Sequence, residues 1–177
     1  MEDGKNKMEK LKVIYEDNHI IVVEKTPNIA SQADKTGDID MLTMVKQYIK
    51  EKYNKPGNVY VGLVHRLDRP VGGIMVFAKT SKAASRLSEE VRNKTFEKHY
   101  LAVVDGKIES KVGVLEDYLY KDERNNISKV VSKEKKNAKL AKLDYEVLVY
   151  DEIKNLSLLK VNLSLIHISE PTRLRRI

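Results

Sequence analysis

The stretch that most constrains this chain is residues 59–79, VYVGLVHRLDRPVGGIMVFAK, in which two apolar runs enclose a charged centre. Residues 59–64 and 74–78 are rich in Val and Ile, and each has the length of a buried strand. Between them Pro70 and the Gly72-Gly73 pair punctuate a turn. The pattern therefore sets Asp68 on a loop where a buried strand ends, preceded by His65 and flanked by Arg66 and Arg69. A loop residue presented by a rigid scaffold is well placed for chemistry. The same charges also suit a plain turn in which Asp68 pairs with Arg66 or Arg69, and charge pattern alone leaves both readings open.

The flanking sequence supplies the rest of an α+β domain. Residues 11–15 and 20–24 read as a hairpin turning at Asp17-Asn18, with Lys25-Thr26-Pro27 breaking the second strand. Residues 31–40 are polar and read as a loop. Leu42, Val45 and Ile49 fall at helical spacing within 41–53, and Pro56-Gly57 closes that helix. Thr80 or Ser81 can cap a second helix to about Asn93, packed through Ala84, Leu87 and Val91. Residues 96–106, 115–120, 138–148 and 156–163 read as strands, and the charged run 133–137 as a solvated loop. Strand runs with two clear helices predict an α+β fold on a mainly antiparallel sheet.

The string His65-Arg66-Leu67-Asp68-Arg69-Pro70, followed by Gly72-Gly73 and a strand ending Ala78-Lys79, resembles the RluA-type pseudouridine synthases. The kinase catalytic loop shares some of these letters, but Leu67 separates Arg66 from Asp68, and no Gly-rich phosphate loop lies upstream. Where the family usually has Thr-Ser-Gly, this chain has Val71-Gly72-Gly73. Lys98-x-Tyr100-Leu101-Ala102-Val103-x-x-Gly106 is similar to the family's second motif, although a tyrosine there also suits an ordinary cross-strand position. The opening strand pair and its Lys25-Thr26-Pro27 match more loosely, since Thr26 splits the family's Lys-Pro.

The resemblance implies a pseudouridine-synthase-like mixed, mainly antiparallel sheet flanked by helices, with a catalytic cleft across it and Asp68 at its floor. It implies that Asp68 is the catalytic carboxylate, acting at the ribose C1′ or the uracil ring. Tyr100 would stack on the target base and serve in proton transfer; a phenol with pKa near ~10 is a weak base in water, so the site would have to tune it. His65, Arg66 and Arg69 are the candidates for RNA binding and base flipping. Arg66 could fill the position a flipped uridine vacates, and Arg69 could contact a phosphate or form a loop salt bridge. Non-catalytic readings stay open: an inactive fragment, or an RNA-binding module that reuses the fold.

Composition agrees with an acidic partner. The formal charge is +7, although Arg173, Arg175 and Arg176 against Glu170 account for two of those charges within the last fourteen residues. Ribosomal or transfer RNA is the expected partner, bound by a monomer through salt-sensitive phosphate contacts. There are no cysteines, which removes disulfides and thiol chemistry and fits a reducing cytoplasm. No apolar run approaches the ~20 residues of a membrane helix, and residues 1–10 carry no signal-peptide core. His19, His65, His99 and His167 are scattered singly and no nucleotide-binding motif is present, so neither metal nor cofactor is expected.

These features predict a disordered segment over 1–10, a catalytic domain over 11–163 and a foreign tail over 164–177. With a strand pair starting near residue 11, the small RNA-binding domain of some relatives is not expected before it. After residue 163 the family continues with Thr-Gly-Arg-x-His-Gln-Ile-Arg, which sets a basic side chain against the catalytic Asp; this chain has Ser164-Leu165-Ile166-His167-Ile168 instead. Residues 163–173 can be translated codon by codon from a transposase adaptor used to build sequencing libraries. The expectation is a reading frame cut near Asn162, leaving an incomplete domain that lacks the basic partner of Asp68. Amplifying the source locus should yield a different continuation there, and the same tail encoded in genomic DNA would overturn the adaptor reading.

Overall fold

The computed structural model describes residues 11–93, 95–122 and 127–166. They divide between a first unit ending at Thr95 and a second beginning at Phe96. The expected terminal segment 1–10 and residues 167–177 of the expected tail lie outside the described residues.

The first unit runs β1 (Lys12–Glu16), β2 (Ile20–Lys25), α1 (Met41–Lys52), β3 (Gly62–Leu63), β4 (Gly73–Ala78) and α2 (Ser81–Asn93). Its strands form one antiparallel sheet in the order β1-β2-β4-β3. Asp17 makes the first hairpin, its carboxylate accepting the amides of His19 and Ile20 at 2.7 Å each. That local bond is why Asp17 suits the turn.

Alternation along β2 points Ile21, Val23 and Lys25 to one face, in register with Phe77, Met75 and Gly73 of β4. The four apolar side chains are fully buried and pack with Met41, Met44, Val45 and Ile49 of α1. Full burial of such a side chain is worth about 1.5–3 kcal/mol, so this layer dominates the unit's stability. Asp40 starts α1, its carboxylate accepting the Thr43 amide at 3.1 Å and the Thr43 hydroxyl at 2.7 Å. Thr80 caps α2 through the Ala83 amide. α2 approaches β3 so closely that a Cβ on Gly62 would lie 2.9 Å from that of Ala84.

The strand expected over 59–64 pairs only at Gly62 and Leu63. Beyond it, Nε2 of His65 accepts the Val76 amide at 3.0 Å, so a side chain replaces the ladder where β3 stops. Val59 and Val61 still reach the core.

In the second unit β5 (His99–Asp105), β6 (Val112–Asp122), β7 (Ile127–Val131), β8 (Lys139–Asp151) and β9 (Leu156–Ile166) form an antiparallel sheet in the order β5-β9-β8-β6-β7. The α+β class with antiparallel pairing is as expected; the strands divide into two sheets, and β7 is an addition. β9 continues to Ile166, three residues past the boundary read from sequence. The turn at 133–137 is exposed, as its charge implies.

At the end of the first sheet, Glu16 gathers four donors. Lys79 and Lys52 reach it at 2.6 and 2.7 Å, and the hydroxyls of Tyr53 and Tyr48 at 2.8 and 3.2 Å, tying β1 to α1 and to the residue after β4. Burial alone would raise the Glu16 carboxyl, but the bonds from Lys52, Lys79 and Tyr53 outweigh it and hold the group down to about 2. The folded value lies below the ordinary 4.5, so this network stabilises fully well above pH 4.5 and loses its contribution as pH falls toward 2. Glu16→Gln should therefore lower stability by about 1–3 kcal/mol at neutral pH. Urea titrations of both proteins should show that gap narrowing as pH falls through 4.5; a gap unchanged with pH would contradict the network.

Candidate functional site

The loop carrying Asp68 is fixed from below by β2. Lys25, at the inward end of that strand, is fully buried. Its ammonium donates to the carbonyls of Arg69 at 3.0 Å, Thr26 at 3.3 Å and Val71. Three donors thus meet three main-chain acceptors, two of them just after Asp68. Burial lowers the Lys25 pKa, attraction to the Asp68 carboxylate works against that, and repulsion from Arg69 adds to it. A cation therefore stands within electrostatic reach of Asp68, supplied by this chain's own β2.

Other anchors hold the same loop. The buried Ser31 hydroxyl accepts the Leu67 amide at 3.0 Å and donates to the Leu67 carbonyl. The Asn28 amide donates to the Arg69 carbonyl at 2.6 Å, from a left-handed backbone with φ of 72°. Within the loop the Val71 amide donates to the Asp68 carbonyl at 3.0 Å. Gly73, with φ of 149°, then turns the chain into β4, a backbone that side chains rarely permit. Asp68 is half-buried at the centre of this frame, and Arg66 is exposed beside it.

Four of the sequence candidates, His65, Arg66, Asp68 and Arg69, share this one loop. The His65 ring is turned to β4, where the Val76 bond requires an unprotonated Nε2. Arg69 takes the salt-bridge alternative: it binds Asp34 and Thr36 through one terminal nitrogen at 3.1 and 2.9 Å, Asp38 through the other, and the Asn28 carbonyl through Nε at 3.1 Å. Tyr100 lies in the second unit on β5, opposite Val161 of β9. It shares the face that buries Leu159 and Val161, while its neighbours Leu101 and Val103 are exposed. Among the described residues no group of three or more His, Cys, Asp or Glu could hold a metal ion.

Sequence reasoning missed Lys25 and Ser31. The signal for Lys25 was its place in the alternation: two residues after Val23, a lysine stood where an inward apolar residue belonged. Ser31 acts on main-chain atoms and carried no comparable signal.

Comparison with known proteins bears on this arrangement. Residues 19–165 match the family described as RNA pseudouridylate synthase. An RNA pseudouridine synthase of Mycoplasma genitalium is 35% identical over 159 residues, spanning 88% of this chain and 49% of that protein. The ribosomal large subunit pseudouridine synthase D of Borreliella burgdorferi is 30% identical over 142 residues, 77% of this chain and 42% of that protein. The chain thus spans about half the length of the curated relatives it matches. Among solved structures, human RNA pseudouridylate synthase domain containing 4 superposes with a TM-score of 0.72 at 18% identity, covering 89% of this chain and 61% of that one. The corresponding human domain containing 1 gives 0.72 at 19% identity, covering 94% and 64%. At such identities these likenesses establish the fold.

Removing the Lys25 ammonium leaves the buried carbonyls of Arg69 and Val71 without that donor, so Lys25→Met should cost about 1–3 kcal/mol. Hydrogen–deuterium exchange should rise at residues 68–71 while α1 stays protected. An increase spread evenly over the unit would show a general packing role instead.

Proposed function

Because the chain belongs to the RNA pseudouridylate synthase family, of the RluA type, we propose that it isomerises uridine in RNA to pseudouridine with Asp68 as the catalytic carboxylate. The observation that carries this reading is the frame around Asp68: a half-buried carboxylate on a loop fixed by Lys25, Ser31 and Asn28, in a string His65-Arg66-Leu67-Asp68 that resembles the family's motif and lies within the matched residues 19–165.

The reaction breaks the bond from ribose C1′ to N1 of the base and forms one from C1′ to C5. The C5 hydrogen leaves as a proton and N1 gains one, so composition is unchanged and no cofactor or metal is consumed. Asp68 acts at C1′ or on the uracil ring, from a loop whose Arg69 and Val71 carbonyls Lys25 holds. Tyr100 stacks on the base and moves a proton. Arg66, exposed beside Asp68, takes the space the flipped base vacates or grips a phosphate, at a site reached only after a few kcal/mol of unstacking. His65 and Arg69 support RNA binding by holding the loop that presents Arg66. Ribosomal or transfer RNA is the substrate, in keeping with relatives named as ribosomal large subunit and tRNA pseudouridine synthases. The enzyme acts as a cytoplasmic monomer, with 11–163 as its catalytic domain.

A second reading is an inactive piece of such an enzyme, favoured by the chain's span of about half its curated relatives. Tritium release from RNA labelled at uridine C5 separates the two. Turnover by the 177-residue chain that falls to background in Asp68→Ala, with RNA binding kept, supports catalysis. RNA binding without turnover favours a binding module, and neither activity favours the inactive piece.

A further inference from the structure

The end of the first sheet remote from Asp68 carries a second concentration of charge. β2 and β4 pair from Lys25–Gly73, beneath the loop, to Ile20–Ala78 at the far end. At about 3.4 Å per residue, roughly 17 Å of strand separates the two ends. At the far end stands Tyr53, just after α1, its ring attended by the ammonium groups of Lys79, Lys52 and Lys55 at 4.9, 5.5 and 5.8 Å from the centroid. Lys79 and Lys52 share the single carboxylate of Glu16, which leaves positive charge in excess.

From Lys55 an open groove of about 980 Å³ follows the outer face of α1, with Lys46 and Lys50 in its wall. Glu51 also lines it and is hydrogen-bonded by the Gln47 amide at 3.0 Å. Lys46, Lys50 and Lys55 are exposed, so the groove carries an excess of two positive charges without needing any of them for the core.

We propose that this groove and the Tyr53 cluster form a second RNA-binding surface, which holds the phosphate backbone of a single strand flanking the modified uridine. The inference rests on the RNA-modifying reading above. The Tyr53 ring holds the nearby cations in place, so less side-chain freedom is lost when phosphates arrive. Lysine suits the task as a point charge with three donors, indifferent to base identity. The surface therefore supplies affinity and register, and leaves the choice of uridine to the Asp68 loop.

The test is fluorescence anisotropy of a labelled, unstructured RNA with the full chain over a range of KCl concentrations. A triple variant, Lys46→Gln, Lys50→Gln and Lys55→Gln, removes three exposed charges from the groove. A control, Lys133→Gln, Lys135→Gln and Lys136→Gln, removes three from the exposed turn of the second unit. Each phosphate of a single strand that is no longer neutralised lowers the salt slope by about 0.7, so the slope should fall by about 2 in the groove variant and stay unchanged in the control. Circular dichroism melts confirm that both remain folded. Equal slopes for wild type and groove variant, or an equal fall in groove variant and control, would overturn the proposal. A wild-type chain that binds no RNA and releases no tritium overturns the functional reading itself; one that releases tritium while ignoring the groove substitutions overturns only this surface.

Discussion

The buried ammonium of Lys25 is the interaction on which the first unit's functional end depends. Placing a lysine at the inward end of a core strand is costly unless the charge finds acceptors. Here they are carbonyls of the loop that follows Asp68, so satisfying the lysine and shaping the loop are one event. The strand that builds the core through Ile21 and Val23 thus also fixes the main chain on the far side of Asp68. The basic partner expected for that carboxylate belongs to sequence beyond residue 163; Lys25 instead binds the main chain of the loop and interacts with Asp68 only through longer-range attraction.

The remaining anchors divide the work by side. Ser31 holds the loop before Asp68, Asn28 and Lys25 hold it after, and Arg69 reaches outward to bind the segment that carries Asp34 and Asp38. That segment leads straight into Asp40, the N-cap of α1. The helix that covers the core and the loop that carries the carboxylate are therefore tied through residues 28–40. At the opposite end Glu16 performs the same joining role for β1, α1 and Lys79, so the sheet is clasped to its helix at both ends.

Much of this was legible in the sequence, and the failures have a common cause. The hairpin at Asp17, the helices and β4 announced themselves because turn chemistry and periodicity are local signals. β3 fell short because the His65 ring, a side chain, takes the Val76 amide that a longer strand would have used. β7 was missed because Ile127–Val131 is short and lies beside a polar run that reads as loop. Asp68 could be placed on its loop from the apolar runs and the resemblance, but not its anchors. Lys25 read as a strand breaker rather than as an inward residue, and bonds to carbonyls leave no trace in residue identities.

Most of the grip on the Asp68 loop falls on main-chain atoms: both polar groups of Leu67, the carbonyl of Arg69 and the carbonyl and amide of Val71. A frame held that way is largely indifferent to the residues threaded through it. The bonds that hold Val71, through its amide and its carbonyl, are ones any non-proline residue provides. A side chain at such a position becomes an exchangeable part on a fixed mount, whereas Arg69 and His65, whose side chains bind residues 28–38 and β4, belong to the mount itself.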